Sequence, residues 1–238
     1  DFALTGAIES VVVNQDGTKV LADLFAQDHL YQTDEGYNAN DLVNFSGNHD
    51  MGRFAYKLTN SNKNYSEAEM IKRTLLAHAM VYFSRGVPVV YYGDEQGFVG
   101  DGGDQDSRQN MMPSFVDSYN DDDLLATDKT TADDNFDQSH LFYRTFAKYA
   151  ELYQRYPALR RGEQSALYAQ AEPGMFAIKR TLTGDDKRQQ ELVVVFNTST
   201  SAKNVEALGL GPNAKLLHSE GKGTATVVAA LGFNLYQL

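Results

Sequence analysis

The sequence predicts an α/β fold: βα units around a parallel sheet, followed by a small antiparallel β-sandwich domain. Up to about Tyr156, short apolar runs alternate with stretches of helical period, the pattern of βα units. Past Gly162 the helical period disappears, and short β-rich runs follow one another between turn residues. A length of 238 residues accommodates one large domain or two smaller ones, each with a buried core.

In chain order, "LVNFSG" is the first strand-like run, and "VPVVYYG" is the second, with Pro88 near its start, where proline is tolerated. Between them Ser66 opens a helix with Glu69 three residues on, a capping-box pattern. Met70, Leu75, Ala79, Val81 and Phe83 make that helix apolar over much of its surface, as a crossover between two parallel strands requires. A second long helix fits "HLFYRTFAKYAELYQRYPAL" and is ended by Pro157. The β-rich runs are "SALYAQ", "GMFAIKRTL", "ELVVVFNTS" and "TATVVAALGFNLYQL", punctuated by Pro173-Gly174 and Gly184-Asp185. The boundary falls near Arg160–Gln164, giving units of 1–162 and 163–238.

Charge is concentrated in one place. The chain carries a net charge of −11, and the segment 94–138 holds 13 Asp/Glu against two basic residues, Arg108 and Lys129. The remainder is balanced, at 19 acidic and 19 basic residues. This distribution excludes a nucleic-acid partner, which calls for a basic surface. No apolar run is long enough to cross a bilayer, so no membrane partner is expected. The absence of cysteine removes disulfides, thiolate metal sites and Cys nucleophiles. The acidic loop 97–138 is long for a compact domain, and its place directly after a strand favours a functional role. The first residues show neither an initiator Met nor a leader pattern, so the chain is expected to be part of something longer.

The stretch "NFSGNHDMGRF", Asn44 to Phe54, fits two chemistries. In one, Asn48, His49 and Asp50 bind a metal pair for phosphoester hydrolysis, which demands further carboxylates and histidines on both sides. The five histidines include no His-x-His pair, and no Asp-x-His or Gly-Asp-x-x-Asp precedes Asn48. The metal reading fails on ligand count. In the other, the triplet stands at a strand's end and no metal touches it.

That second arrangement resembles the α-amylase family of retaining glycoside hydrolases. "NFSGNHDMGR" is similar to the family's strand end followed by Asn-His-Asp, with Arg three residues after the Asp. "GVPVVYYGDEQG" resembles its Gly-x-Pro strand ending in Tyr-Gly-x-Glu, one helix-length crossover later. "DFALTGAI" resembles the segment at the preceding strand, and "DQDSRQNMM" the Asp…Arg…Met segment after the last strand. The resemblance covers essentially the whole chain. It implies the C-terminal part of a (β/α)8 TIM barrel, with Asp1–Leu4, Leu42–Ser46 and Val87–Tyr92 as its sixth, seventh and eighth strands, and a C-terminal β domain.

The resemblance further implies cleavage of α-glucosidic bonds in starch or maltooligosaccharides, with retention, through a covalent intermediate. Asp50 would be the transition-state-stabilising carboxylate, while His49, Asn48 and Arg53 contact or frame the substrate. The nucleophile and the acid/base lie on strands preceding residue 1, so this chain alone is expected to be inactive. A cut barrel exposes sheet edges and an apolar face, to be covered by the missing N-terminal part or by self-association. No cofactor or metal is expected on this chain. "DGGDQD" and "NDDD" lack EF-hand spacing, and structural calcium in family members is held by residues upstream. Glu95 and Arg53 are expected as architectural anchors, Asp104 and Arg108 as a pair four residues apart, and His78 as a buried, hydrogen-bonded histidine. Two other readings remain open: an α-glucosidase, debrancher or glucanotransferase of the same family, or a non-catalytic barrel that binds glycans or assists transport. A starch-degrading role implies export to the periplasm or the cell exterior.

Overall fold

The computed structural model describes residues 1–184 and 189–238. The chain opens on helix α1 (Phe2–Val12), with Asp1 as its cap: a carboxylate oxygen accepts from Leu4 N at 3.0 Å. The strand expected at Asp1–Leu4 is therefore absent. Leu4, Ala7, Ile8, Val11 and Val12 recur at helical spacing and are all buried, so the apolar period decides for helix. Helix α2 (Lys19–Phe25) packs against α1. Strand β1 (Val43–Asn44) then leads through a turn into α3 (Phe54–Thr59), α4 (Glu67–Phe83) and strand β2 (Val87–Pro88). β1 and β2 pair in parallel, Val43 with Val87 and Asn44 with Pro88, and α4 is the crossover between them. Ser66 caps α4 as expected, its hydroxyl accepting from Glu69 N.

After β2 the acidic segment runs as irregular loop with 3-10 turns at Asp94–Gln96 and Asp104–Ser107 and one short helix, α5 (Asp117–Asn120). Helix α6 (Leu141–Arg155) and the five-residue α7 (Pro157–Arg161) follow, divided by Pro157. The remaining strands are β3 (Glu163–Tyr168), β4 (Met175–Thr183), β5 (Gln189–Asn197), β6 (Lys203–Asn204), β7 (Lys215–Ser219), β8 (Val227–Val228) and β9 (Phe233–Gln237). Five form an antiparallel sheet in the order β3-β4-β5-β9-β7, and β6 pairs with β8. Of the Gly184-Asp185 turn, Asp185 lies outside the described residues.

Side-chain alternation along these strands gives the sheet two faces. Phe176, Ile178, Val194, Phe196, Phe233 and Leu235 join one apolar core with α1, α3, α4 and α6. Met175, Ala177, Val193, Val195 and Tyr236 face the other way, onto Val205 and Val228 beside the β6–β8 pair. The chain changes from helix to strand at Gly162, but the larger core is continuous across that point. Phe233 shows this most directly, lying 5.0 Å from Phe83 of α4, 5.4 Å from Tyr149 of α6 and 6.1 Å from Phe196 of β5, ring to ring. Two buried arginines add polar ties. Arg180 of β4 donates to Phe83 O and Gly162 O, and burial lowers its pKa to about 10. Arg85 binds Asp1 and Asp28 across the start of α1.

Candidate active site

β1 delivers the chain into a turn fixed from several sides. Asn44 is buried and donates its amide to Arg85 O at 2.7 Å, and Thr5 of α1 donates its hydroxyl to Phe45 O at 2.7 Å. Asn48 and Gly52 then exchange both backbone hydrogen bonds at 3.2 Å. The Asn48 side-chain oxygen accepts from Asp50 N at 2.9 Å and from Met51 N at 3.0 Å. Asparagine suits this corner because its short side chain mimics a turn's own backbone.

The turn leans directly on the loop after β2. Gly52 has φ +85°, and a Cβ there would lie 2.6 Å from Gly102 O. Gly52→Ala is therefore expected to cost roughly 1–3 kcal/mol, since it adds left-handed strain to a backbone clash. A urea melt should show a lower midpoint at unchanged slope; an unchanged midpoint would mean that the two loops part freely.

This geometry presents His49 and Asp50 outward. Their side chains are 61% and 71% exposed, with His49 Nε2 at 3.4 Å from Asp50 Oδ1. Asp104 N donates to Asp50 O at 3.2 Å, and Ser107 Oγ and Arg108 Nε reach His49 O at 3.4 and 3.3 Å. Arg108 Nη2 lies 3.6 Å from Asp50 Oδ1 and 2.5 Å from Asp104 Oδ1, the pairing expected from their spacing. Ion pairs this open contribute about 0–1 kcal/mol, too little to explain the arrangement as a stabilising device. Together the turn and the loop beside it offer a carboxylate, an imidazole and a guanidinium facing water, a set that can hydrogen-bond a hydroxyl-rich ligand. The proximity of Arg108 to Asp50 was not readable from the sequence, because the two lie in different loops.

Burial separates the roles of Arg53 and Asn48, both expected to contact or frame the substrate. Arg53 is fully buried and cannot reach a ligand: it donates to Gln109 Oε1 at 2.8 Å, Tyr92 O at 2.7 Å and Asp94 Oδ1 at 2.9 Å. Asn48 is half-buried with its oxygen committed to the turn, so only its amide nitrogen remains for a ligand. His78 is buried as expected, with Nδ1 at 2.8 Å from Thr74 O and its ring stacked 4.3 Å from that of Phe146. Glu95 is architectural here, accepting from Gly93 N at 2.8 Å, and burial raises its pKa.

Within the acidic loop, exposed Asp101 and Asp121 and buried Asp122 each bring a carboxylate oxygen within 4.8 Å of the others. Three carboxylates fall short of the six to eight oxygens of a calcium site. Burial, chiefly, pushes the Asp122 carboxyl up to about 7, with Asp101 and Asp121 adding to the rise and a hydrogen bond from Gln109 opposing it. A carboxyl whose folded pKa exceeds its unfolded value stabilises fully below the unfolded pKa, and that contribution is lost as pH rises through the folded one. Asp122→Asn should therefore gain on the parent chain between pH 4 and pH 8 in parallel urea melts. A difference independent of pH would place the titration elsewhere.

The family model described as "Alpha amylase, catalytic domain" matches residues 10–179. The α-amylase of Streptomyces lividans is 42% identical over 199 residues, which is 84% of this chain and 21% of that protein. A cyclomaltodextrin glucanotransferase of Bacillus licheniformis is 38% identical over 117 residues, 48% of this chain and 14% of its own length. The chain thus spans about a fifth or less of the curated relatives it matches first. Among solved structures, the α-amylase of Geobacillus thermoleovorans complexed with acarbose aligns over 100% of this chain and 47% of its own, with a TM-score of 0.66 at 21% identity. At that identity the likeness speaks for the fold alone.

Proposed function

Because the chain belongs to the α-amylase family, on a catalytic-domain match across residues 10–179, we propose that it supplies one wall of a retaining α-glucan hydrolase site. Residues 1–162 are the last βα units of the barrel, with β1 and β2 as its seventh and eighth strands, and 163–238 are the C-terminal β domain. Asp50 is the carboxylate that stabilises the positively charged transition state. His49 hydrogen-bonds the same sugar, and Asp104 and Arg108 border the site. The observation that carries this reading is the pair His49–Asp50, exposed on a rigid turn at the end of a parallel strand, where barrel sites are built. Retaining cleavage needs two more carboxyl groups about 5–5.5 Å apart, a nucleophile and an acid/base; both come from sequence outside this chain. One carboxylate attacks the anomeric carbon as the other carboxyl group protonates the departing glycosidic oxygen, and water, deprotonated by that second group, then releases the sugar, so no cofactor is called for.

The exposed Val43 and Val87 of the parallel pair, and Val89 just after it, favour cover by the rest of the barrel. The experiment is starch hydrolysis by this chain alone and by the complete protein that contains it. We expect no reducing sugar from the chain and α-configured product from the complete protein. Turnover by the chain alone would overturn the assignment of the missing acids. Identity to cyclomaltodextrin glucanotransferases supports transfer as the second reading, which cyclic products would reveal.

A further inference from the structure

The loop bearing Asp104 and Arg108 reaches the Asp50 turn through few direct contacts, most of them open to water. Beneath both lies a dry polar junction. Arg53, the residue that follows the turn, carries a guanidinium with no exposed atom. Its Nε points to the Gln109 side chain at the far end of the Asp104–Arg108 loop, at 2.8 Å. Its Nη1 holds Tyr92 O at 2.7 Å and Asp94 Oδ1 at 2.9 Å at the near end. The guanidinium also stands 4.6 Å from the Tyr91 ring centre and 5.1 Å from that of Phe98. Gln109 passes the contact on, donating to Asp122 at 3.0 Å. One side chain therefore grips both ends of the loop and is joined covalently to the turn that the loop must meet.

We propose that Arg53 is a positioning residue: its buried guanidinium fixes where the Asp104–Arg108 loop stands relative to Asp50. A guanidinium suits this because its planar fork serves acceptors in different directions at once, which an ammonium on a flexible stem does not. Asp94 supplies the countercharge that permits burial, with a side chain only 4% exposed. The structural half of the proposal stands by itself, and the kinetic half rests on the proposed function.

The test has two arms. In the chain itself, Arg53→Lys keeps the charge beside Asp94 but loses the fork. Amide exchange at Asp104 and Arg108 should rise about tenfold or more while α4 is unchanged, the mark of a local opening. If Arg53→Lys does not fold, Gln109→Met, which removes the far arm together with its bond to Asp122 and leaves the bonds of Arg53 to Tyr92 and Asp94 in place, decides by the same readout. Unchanged exchange at both amides overturns the proposal. In the complete protein, Arg53→Lys should lower kcat/KM by about 10- to 100-fold, as loss of alignment does. It should be non-additive with Arg108→Ala, because both act through one loop. Full additivity overturns the kinetic half. Asp50→Asn runs beside them: if it keeps normal turnover, the functional reading falls while the exchange result still judges Arg53.

Discussion

Asp50→Asn in the complete barrel is expected to lower kcat about 10²- to 10³-fold. The side chain is exposed and makes no buried contact, so the fold has no stake in its charge. Asparagine preserves its shape and its place on the turn that Asn48 and Gly52 hold. On the proposed function, what disappears is a negative charge next to a sugar that becomes cationic only in the transition state. Removing one such electrostatic partner costs roughly 2.7–4 kcal/mol of transition-state stabilisation. The loss should therefore appear in kcat more than in KM, with an unchanged melting temperature. Near-normal kcat in a folded variant would remove Asp50 from the mechanism.

The second large effect concerns the fold. Arg85→Met should destabilise the chain by about 3–5 kcal/mol, the cost of leaving a buried carboxylate without its partner. Arg85 Nη1 lies 2.7 Å from Asp1 Oδ2, and the two side chains are 1% and 2% exposed. Nε and Nη2 grip Asp28 at 2.7–3.0 Å, and the guanidinium lies 4.9 Å from the Phe25 ring centre. Methionine fills much of the volume but satisfies neither acid. For a chain of this size the melting point should fall by about 6–20 °C. The loss should be smaller at pH 4 than at pH 8, because a stranded carboxylate accepts a proton as the pH falls. An equal loss at both values would assign the effect to packing.

Local signals were legible where local physics decided the outcome. Ser66 and Glu69 marked the start of α4, Pro157 marked the end of α6, and short apolar runs between turn residues marked β4 and β5. Asp1–Leu4 is the cap and first turn of a helix, where the resemblance implies a strand. An Asp at the cap position before apolar residues at spacings of three and four already spelled helix. β7 carries no strand signal in the sequence, because Lys215–Ser219 is mixed in polarity and half-buried, with a register shift at Leu216/His218. Of the candidate site, the motif pointed to Asp50 and His49 at a strand's end, but not to the environment that positions them. The partners of Arg53 lie 39 to 56 residues away, on a loop whose path follows tertiary packing rather than any periodicity.

β9 is an inner strand, between β5 and β7, and its Phe233 closes the ring cluster shared with α4 and α6. Synthesis order turns that placement into a schedule. While the ribosome is still short of residue 237, Phe83, Tyr149 and Phe196 have no lid and β5 offers an open edge, so a nascent chain at that stage is a natural client for chaperones. The core under α4 and α6 thus stays open until β9 has been made, and a translational pause just before Phe233 should raise misassembly more than one placed earlier in the β region.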